Sequence, residues 1–307
     1  MLHIRQPAFE WSFLLPKYWL TWIGIAFMYC ISWLPYKLQI VLGRLLGKVL
    51  GKVAKSRMKV GKRNLELCFP DMPEGERETL LKKNMESAGI ALLETGMGWW
   101  WPDWRVKKRS KTAGFEHVEA ILAKGKGVFG IAIHNMNLEM NCRVMGLTHP
   151  SIVFYRRHNN PVMEYFQYRG RARSNKYLIH KRGVKDMLQS LDSGEFCMYL
   201  PDQDFGPKRC EFVPLFAVPD TATTTGTLLF AENANCESVF VLPLRTEDGY
   251  VVKIMPGLDN FPSGDHRNDV TRLNKKIEEM IMQAPEQYLW MHKRFKTRPH
   301  DNPSALY

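Results

Sequence analysis

Residues 128–139 read VFGIAIHNMNLE, an uninterrupted apolar run that stops abruptly at His134. A short run rich in Val and Ile predicts a strand, here over 128–133, that is buried on both faces. Asn137 is a residue type that caps helices, and Glu139 would then lie in the first turn of the helix that follows. The stretch therefore predicts a strand, a turn that carries His134, and a helix.

Short apolar runs and helical patterns alternate on both sides of this stretch. Further strands are predicted over 152–155, 196–200, 239–244 and 250–255. Helices are predicted over 74–98, 137–146, 161–172, 183–193, 221–235 and 267–283. The alternation predicts an α/β domain over 64–307, whose mainly parallel or mixed sheet is flanked by helices.

The amino-terminal part of the chain has the features of a membrane segment. The 19 residues from Tyr18 to Tyr36 carry no formal charge, and aromatic residues lie at both ends. A spanning helix needs roughly 20 mostly apolar residues with aromatic residues at the two interfaces. We predict a transmembrane or membrane-inserted helix within residues 1–36, with insertion into one leaflet and a buried core helix as the alternatives.

A basic segment follows directly. Residues 37–63 contain nine Lys and Arg and no Asp or Glu, and Leu and Val recur there at steps of three and four residues. This pattern predicts a basic amphipathic segment on the surface of anionic lipids. The excess of positive charge also predicts that everything after residue 37 lies in the cytoplasm.

His134 and Glu139 are the first candidate catalytic residues. Functional residues of α/β sheets gather outside the carboxyl ends of the strands, where His134 is predicted to lie. An acid near the imidazole can hold one ring nitrogen and raise the basicity of the other, which then takes a proton from a hydroxyl. The spacing alone leaves a structural histidine open, because pairs at this spacing also arise by chance.

Two carboxylates follow the predicted strand 196–200, in the motif PDQD over residues 201–204. Asp202 and Asp204 could bind a metal ion, pair with arginines or orient a sugar hydroxyl. A metal is the least favoured of these uses, because no further acidic residues cluster there to complete a ligand set.

Arginines lie directly after the predicted strand 152–155 and at the end of the predicted helix 161–172. Guanidinium groups match the geometry of phosphates, so an anion-binding site is favoured over a solvated basic face. The candidate residues are Arg156, Arg169, Arg171 and Arg173.

Composition and missing motifs exclude several functions. The net charge of +12 calls for a polyanionic partner, and nine Trp favour a membrane over nucleic acid. The sequence contains no nucleic-acid-binding signature, P-loop, dinucleotide-binding glycine motif or GxSxG elbow. No cofactor and no metal are predicted.

Several blocks of sequence together resemble the late acyltransferases of lipid A biosynthesis, in particular the lauroyl/palmitoleoyl branch that acts on Kdo2-lipid IV(A). The resemblance covers essentially the whole chain. The blocks are PKYWLTW (16–22), RNLELCFP (63–70), ETGM (94–97), WPD (101–103), HNMNLE (134–139), RARSNK (171–176), PDQD (201–204), PLFAV (214–218) and APEQYLW (284–290).

The resemblance implies a glycerolipid acyltransferase-like domain and an H-x4-D/E catalytic pair, here His134 and Glu139. It implies acyl carrier protein as the donor and a hydroxyl of a 3-hydroxyacyl chain on Kdo2-lipid IV(A) as the acceptor. It places Arg171 and Asp202 among the functionally important positions. The expected location is the inner membrane, as a single-pass protein in contact with phospholipids and with a cytoplasmic catalytic domain. A lipid-chain esterase and a non-catalytic binder of anionic lipids remain as alternatives.

Overall fold

The computed structural model describes residues 3–300 and 304–307, so the first two residues and residues 301–303 of the predicted segments lie outside it. Short 3-10 turns at Trp11–Leu14 and Pro16–Tyr18 precede the first helix, and another lies at Pro285–Gln287. The helices are α1 Trp19–Ser32, α2 Tyr36–Val53, α3 Lys55–Cys68, α4 Glu74–Trp100, α5 Asp103–Lys108, α6 Glu116–Leu122, α7 Leu138–Thr148, α8 Pro161–Ala172, α9 Val184–Asp192, α10 Gly226–Asn233 and α11 His266–Met282.

Nine strands in the described residues form one large and one small sheet. The strands are β1 Ser110–Ala113, β2 Gly127–Ala132, β3 Ile152–Tyr155, β4 Tyr177–His180, β5 Phe196–Tyr199, β6 Cys210–Leu215, β7 Val218–Thr224, β8 Cys236–Arg245 and β9 Tyr250–Pro256. The large sheet has the order β1-β9-β8-β2-β5-β3-β4, and β6 and β7 form an antiparallel pair. Strands β8, β2, β5, β3 and β4 run parallel, whereas β9 runs antiparallel to β8. The predicted α/β fold with a mixed sheet is confirmed.

The predicted elements near the centre of the sheet are found within a few residues of their predicted bounds. The helix predicted over 221–235 is wrong in its first part, because residues 218–224 form β7 and α10 begins only at Gly226. The run of four threonines from Thr221 to Thr225, interrupted by one alanine, explains the error: β-branched residues favour a strand over a helix. Strands β1, β4 and β6 were not predicted.

Strand β2 lies in the middle of the sheet, and all six of its residues are buried. Helices cover both faces, and this coverage explains why the sequence of β2 is apolar throughout rather than alternating. Because β2, β5, β3 and β8 are parallel, their carboxyl ends meet at one edge. The residues that follow these strands are therefore brought together there.

The predicted membrane-spanning helix is not found in this form. Helix α1 has only 14 residues and ends at Ser32, before the Leu34–Pro35 step that separates it from α2. No helix within residues 3–300 and 304–307 is long and apolar enough to cross a membrane. One face of α1 packs on the remaining chain: Met28 and Ser32 lie against Gly96 of α4, and Trp22 contacts Phe166 of α8.

The basic segment 37–63 consists of α2 and the first part of α3, which are separated by Ala54. Helix α2 is seated closely on α4, since a Cβ atom added at Gly43 or Gly47 would collide with the α4 backbone at 2.6 and 2.2 Å. The opposite face of α2 leaves a row of apolar side chains exposed. Its members are Leu38, Val41, Leu45, Val49 and Val53.

Candidate active site

His134 and Asp202 are brought together at the carboxyl edge of the sheet. His134 follows β2 by two residues, and Asp202 follows the neighbouring strand β5 by three. The Asp202 carboxylate contacts His134 twice: Oδ2 accepts a hydrogen bond from the His134 peptide N–H at 2.9 Å, and Oδ1 lies 2.7 Å from Nδ1 of the imidazole. The carboxylate thereby fixes both the backbone and the ring of His134.

The Asp202 carboxyl is completely buried, whereas 23% of the His134 side chain is exposed. Burial alone would raise the pKa of Asp202, but the His134 imidazole and the hydrogen bonds from His134 outweigh burial and hold the pKa below its usual value. An ionised carboxylate only accepts hydrogen bonds, so the proton of a neutral imidazole is on Nδ1. Nε2 is then the nitrogen with a lone pair to accept a proton.

Glu139 does not hold the imidazole, and the prediction that it does so is wrong in this structure. Its carboxylate accepts hydrogen bonds from Arg171, with Nη2–Oε1 at 2.5 Å and Nε–Oε1 at 3.0 Å, and from the Trp99 indole N–H at 3.1 Å. The physical reason lies in the path of the chain. Glu139 lies in the first turn of α7, which packs on α4 and α8, while Asp202 reaches His134 from the adjacent strand.

Arg171 and Glu139 form a mostly enclosed ion pair, with 18% and 16% of their side chains exposed. Burial would lower the pKa of the Arg171 guanidinium, but the Glu139 carboxylate outweighs burial and raises it. The guanidinium also lies over the Tyr155 ring, with its carbon 5.5 Å from the ring centre. The Arg171 guanidinium therefore stays charged, and it holds Glu139 through charge-assisted hydrogen bonds.

Asp204 takes no part in the His134–Asp202 contact, although it is only two residues from Asp202. Its carboxylate accepts hydrogen bonds from the Thr297 N–H at 2.7 Å, the Thr297 hydroxyl at 2.8 Å and the Gly206 N–H at 2.8 Å. The two carboxylates thus have separate partners. Within the described residues, no three His, Cys, Asp or Glu side chains are grouped as a metal site.

The remaining predicted arginines fall in two places. Arg169 and Arg173 line an open groove of about 520 Å³ together with the rings of Trp99, Trp100, Tyr165 and Phe166, which we call the aromatic groove. Arg169 lies over Tyr165 at 4.3 Å, and Arg173 donates to the carbonyls of Trp99 and Trp101. Arg156 is exposed directly after β3, outside this groove.

The carboxyl-terminal segment, residues 285–297, also contributes to the site. Leu289 N–H donates to the His134 carbonyl at 3.1 Å, Met136 N–H donates to the Gln287 carbonyl, and the Tyr288 hydroxyl donates to the Asp202 carbonyl. Sequence reasoning assigned no role to this segment. The APEQYLW block pointed to its first part, but the contacts are mostly with the backbone and leave no trace in residue type.

His292, in the same segment, was also missed. Its Nε2 lies 3.3 Å from the Asp204 amide nitrogen. Burial, the charge of His134 and the charge of Arg294 lower its pKa. A second imidazole therefore lies beside the turn that carries Asp202 and Asp204, and its lowered pKa favours the neutral form.

A mostly apolar cavity of about 60 Å³ lies next to the Glu139–Arg171 pair. Leu138, the first residue of α7, and Arg171 both line it. The other lining residues are Asn141, Cys142, Met145, Ser151, Val153, Phe154, Met198 and Leu200. A cavity of this composition suits a hydrocarbon group rather than water.

Comparisons with known proteins give a consistent result over the whole chain. A family model described as bacterial lipid A biosynthesis acyltransferase matches residues 6–297. The lipid A biosynthesis lauroyltransferase of Escherichia coli (strain K12) is 42% identical over 97% of this chain and 98% of its own length. The palmitoleoyltransferase of the same strain is 41% identical over 98% of this chain and 99% of its length. A lipid A biosynthesis acyltransferase of Haemophilus influenzae is 40% identical over all of both chains.

Proposed function

We propose a specific reaction for this chain from the premise that it belongs to the bacterial lipid A biosynthesis acyltransferase family. The chain is thus an acyltransferase of lipid A biosynthesis. We propose that the donor is a fatty acyl thioester of acyl carrier protein, with a lauroyl or similar chain. The acceptor is the hydroxyl of a 3-hydroxyacyl chain on Kdo2-lipid IV(A). The observation that carries the proposal is the His134–Asp202 pair at the carboxyl edge of the sheet.

His134 is the general base in the proposed mechanism. Its Nε2 takes the proton from the acceptor hydroxyl while the oxygen attacks the thioester carbonyl carbon. The tetrahedral intermediate then collapses, the C–S bond breaks, and the imidazolium returns the proton to the departing thiolate. Asp202, ionised beneath the ring, stabilises the imidazolium and keeps Nε2 directed away from itself.

The negative charge that develops on the carbonyl oxygen needs hydrogen-bond donors. Two donor groups of Arg171 are already engaged by Glu139, so we assign this role to the first peptide N–H groups of α7, which have no partner within the helix. Glu139 and Arg171 then fix the start of α7 relative to α4 and α8. In this proposal they position the donors rather than transfer the proton.

The substrates fit the surroundings of this pair. The apolar cavity lined by Leu138 can receive part of the acyl chain, and the aromatic groove can hold an anionic lipid with Arg169 and Arg173 near its phosphates. Arg156, which is exposed directly after β3, would contact the headgroup of the same lipid.

We further propose that the enzyme is attached to the cytoplasmic face of the inner membrane through α1 and α2. Leu20, Ile23 and Phe27 of α1 are 82%, 65% and 62% exposed and recur at the spacing of one helical face. The exposed apolar row on α2 lies beside Arg44, Lys48 and Lys52, so anionic headgroups would neutralise its basic flank. Both helices are seated on the catalytic domain, which places the site close to its lipid substrate.

The membrane assignment can be tested by flotation with vesicles that contain phosphatidylethanolamine and phosphatidylglycerol. The triple variant Leu20→Ser, Ile23→Ser, Phe27→Ser should lose most vesicle binding. Met282→Ser, which removes a 49% exposed apolar residue from α11, should bind like the wild type. Equal binding of all three proteins would contradict attachment through α1.

The reaction is tested with labelled acyl carrier protein, Kdo2-lipid IV(A) and membranes that contain either the wild type or His134→Ala. We expect acyl transfer by the wild type and a loss of about 10²- to 10⁴-fold in His134→Ala, the usual contribution of a general base. Undiminished transfer by His134→Ala would refute the mechanism. Free fatty acid as the only product would indicate an esterase, and lipid binding without any product would indicate a binder.

A further inference from the structure

A second cationic pocket shares no lining residue with the aromatic groove. It has a volume of about 590 Å³ and is formed by the start of α3, the turn after β5 and the carboxyl-terminal segment. Arg57, Lys293 and Lys296 supply three positive charges, and we call it the lysine pocket. Among its lining residues in the described part of the chain, Asp204 alone is acidic.

The negative charge of Asp204 is directed into the protein. Its two oxygens accept the three hydrogen bonds from Thr297 and Gly206, which hold the turn after β5 against the carboxyl-terminal segment. The carboxylate is therefore a structural clamp for the pocket wall. The three cations exceed it in charge and face a cleft that is open to solvent, an arrangement that attracts an anion.

The lysine pocket is adjacent to the catalytic histidine. His292 lines the pocket, and its Nε2 lies 3.3 Å from the amide nitrogen of Asp204, which also lines it. Asp204 is separated by a single residue from Asp202, whose carboxylate contacts the His134 imidazole at 2.7 Å. A ligand anchored by an anionic group in this pocket can therefore place a nearby reactive group at His134.

We propose that the lysine pocket receives the acyl donor, by binding the phosphodiester that joins the thioester arm to an acidic carrier protein. This inference rests on the proposed function. The phosphodiester of such an arm must bind at a distance from the thioester carbonyl, which reacts at His134. An acidic carrier protein also needs a basic surface around the entrance of the pocket. The pocket satisfies the first requirement, and Lys55 and Lys59 on the exposed part of α3 contribute to the second.

The phosphorylated lipid acceptor could instead occupy the lysine pocket. The apolar content of the two pockets favours the lipid in the aromatic groove and the donor in the lysine pocket. The aromatic groove is lined by large rings and adjoins Trp22 and Phe166, at the contact of α8 with the apolar helix α1. The lysine pocket has one exposed large apolar side chain, Phe205, and its lysines carry compact, strongly hydrated charges. A lipid suits the groove, and a soluble polyanion suits the lysine pocket.

The test compares steady-state kinetics of the wild type and the double variant Lys293→Ala, Lys296→Ala in the full-length protein. With acyl carrier protein as donor, we expect the donor KM to rise about tenfold or more, with kcat and the acceptor KM nearly unchanged, because exposed charges act mainly on encounter and binding. The salt dependence of the donor KM should also decrease. With an acyl-pantetheine donor, which has neither phosphate nor protein, the two enzymes should have equal KM values.

Two further variants act as controls. The double variant Lys293→Arg, Lys296→Arg keeps both charges, and its donor KM should equal that of the wild type. Lys124→Ala, Lys126→Ala removes two surface lysines that precede β2, at the opposite edge of the sheet, and should leave the donor KM unchanged.

A rise in the acceptor KM alone would assign the pocket to the phosphates of the lipid and overturn the inference. An unchanged donor KM, or an equal rise with acyl-pantetheine, would overturn it as well. Absence of transfer by the wild type in the same assay would instead refute the proposed function.

Discussion

Two carboxylates close to His134 are held in opposite ways. Asp202 is completely buried beneath an imidazole, a partner that can take up and release a proton during a reaction. Glu139 is bound to Arg171, a partner that stays charged at every pH of interest. A carboxylate bonded to a titrating ring can stabilise a proton in transit, whereas one bonded to a permanent cation can only fix positions. The difference supports the proposal that Asp202 takes part in the acid–base chemistry and that Glu139 fixes positions.

The largest effect is expected when the negative charge of Asp202 is removed. Asp202→Asn keeps the size of the side chain but replaces the carboxylate by a neutral amide. Whether the amide oxygen or the amide nitrogen faces the ring, the imidazolium loses its counter-charge. We expect kcat to fall by about 10²- to 10⁴-fold with the protein still folded, measured by acyl transfer and circular dichroism. Asp204→Asn is the matched control, with a decrease of less than about tenfold expected. Equal losses in both variants would remove the special role of Asp202.

The second effect concerns stability more than chemistry. Glu139→Gln leaves the Arg171 charge enclosed without its counter-ion, so the free energy of unfolding should fall by about 3–5 kcal/mol, measured by urea denaturation in detergent. Glu139→Leu combined with Arg171→Met removes both charges and should recover much of that loss.

The same variants sharpen the assignment of roles. If Glu139→Gln keeps full stability but loses as much activity as His134→Ala, Glu139 acts in the chemistry. The predicted pairing of Glu139 with His134 would then be correct. If stability and activity fall together, the positioning role stands.

The smallest effect is the acid sensitivity of the Asp202 contact. The folded-state pKa of Asp202 lies below its unfolded value of about 3.9. The contact therefore stabilises the protein above that value, and this stability is lost as the pH falls through the lowered folded-state pKa. Between about pH 5 and pH 2, the free energy of unfolding should fall less steeply in Asp202→Asn than in the wild type. Parallel curves would show that Asp202 has an ordinary pKa in the folded protein.

Local sequence was sufficient for the elements near the centre of the sheet. Strand β2 and helices α4, α8 and α11 were predicted within two residues, because buried strands and long amphipathic helices leave continuous patterns. The short edge strands β1 and β4 were missed. Each has only four residues, and pairing with a neighbour rather than its own composition makes it a strand.

The amino-terminal segment shows a different limit of pattern reading. Large apolar side chains of α1 and α2 are exposed, and their contact with lipid stays a prediction. The predicted helix length is wrong, because the break before α2 divides the uncharged stretch and contacts with α4 and α8 occupy one face of α1.

The sequence alone determined that the protein is an α/β acyltransferase with a basic, apolar amino terminus, and it identified His134, Asp202, Glu139 and Arg171 as the residues of interest. Only the tertiary structure decided how they pair. Asp202 is 68 residues from His134 along the chain, yet it faces the imidazole because β2 and β5 are adjacent and parallel. Glu139 is five residues away, yet the direction of α7 turns it to Arg171 and Trp99. Spacing along a chain limits which residues can meet, but strand order and helix direction decide which of them do.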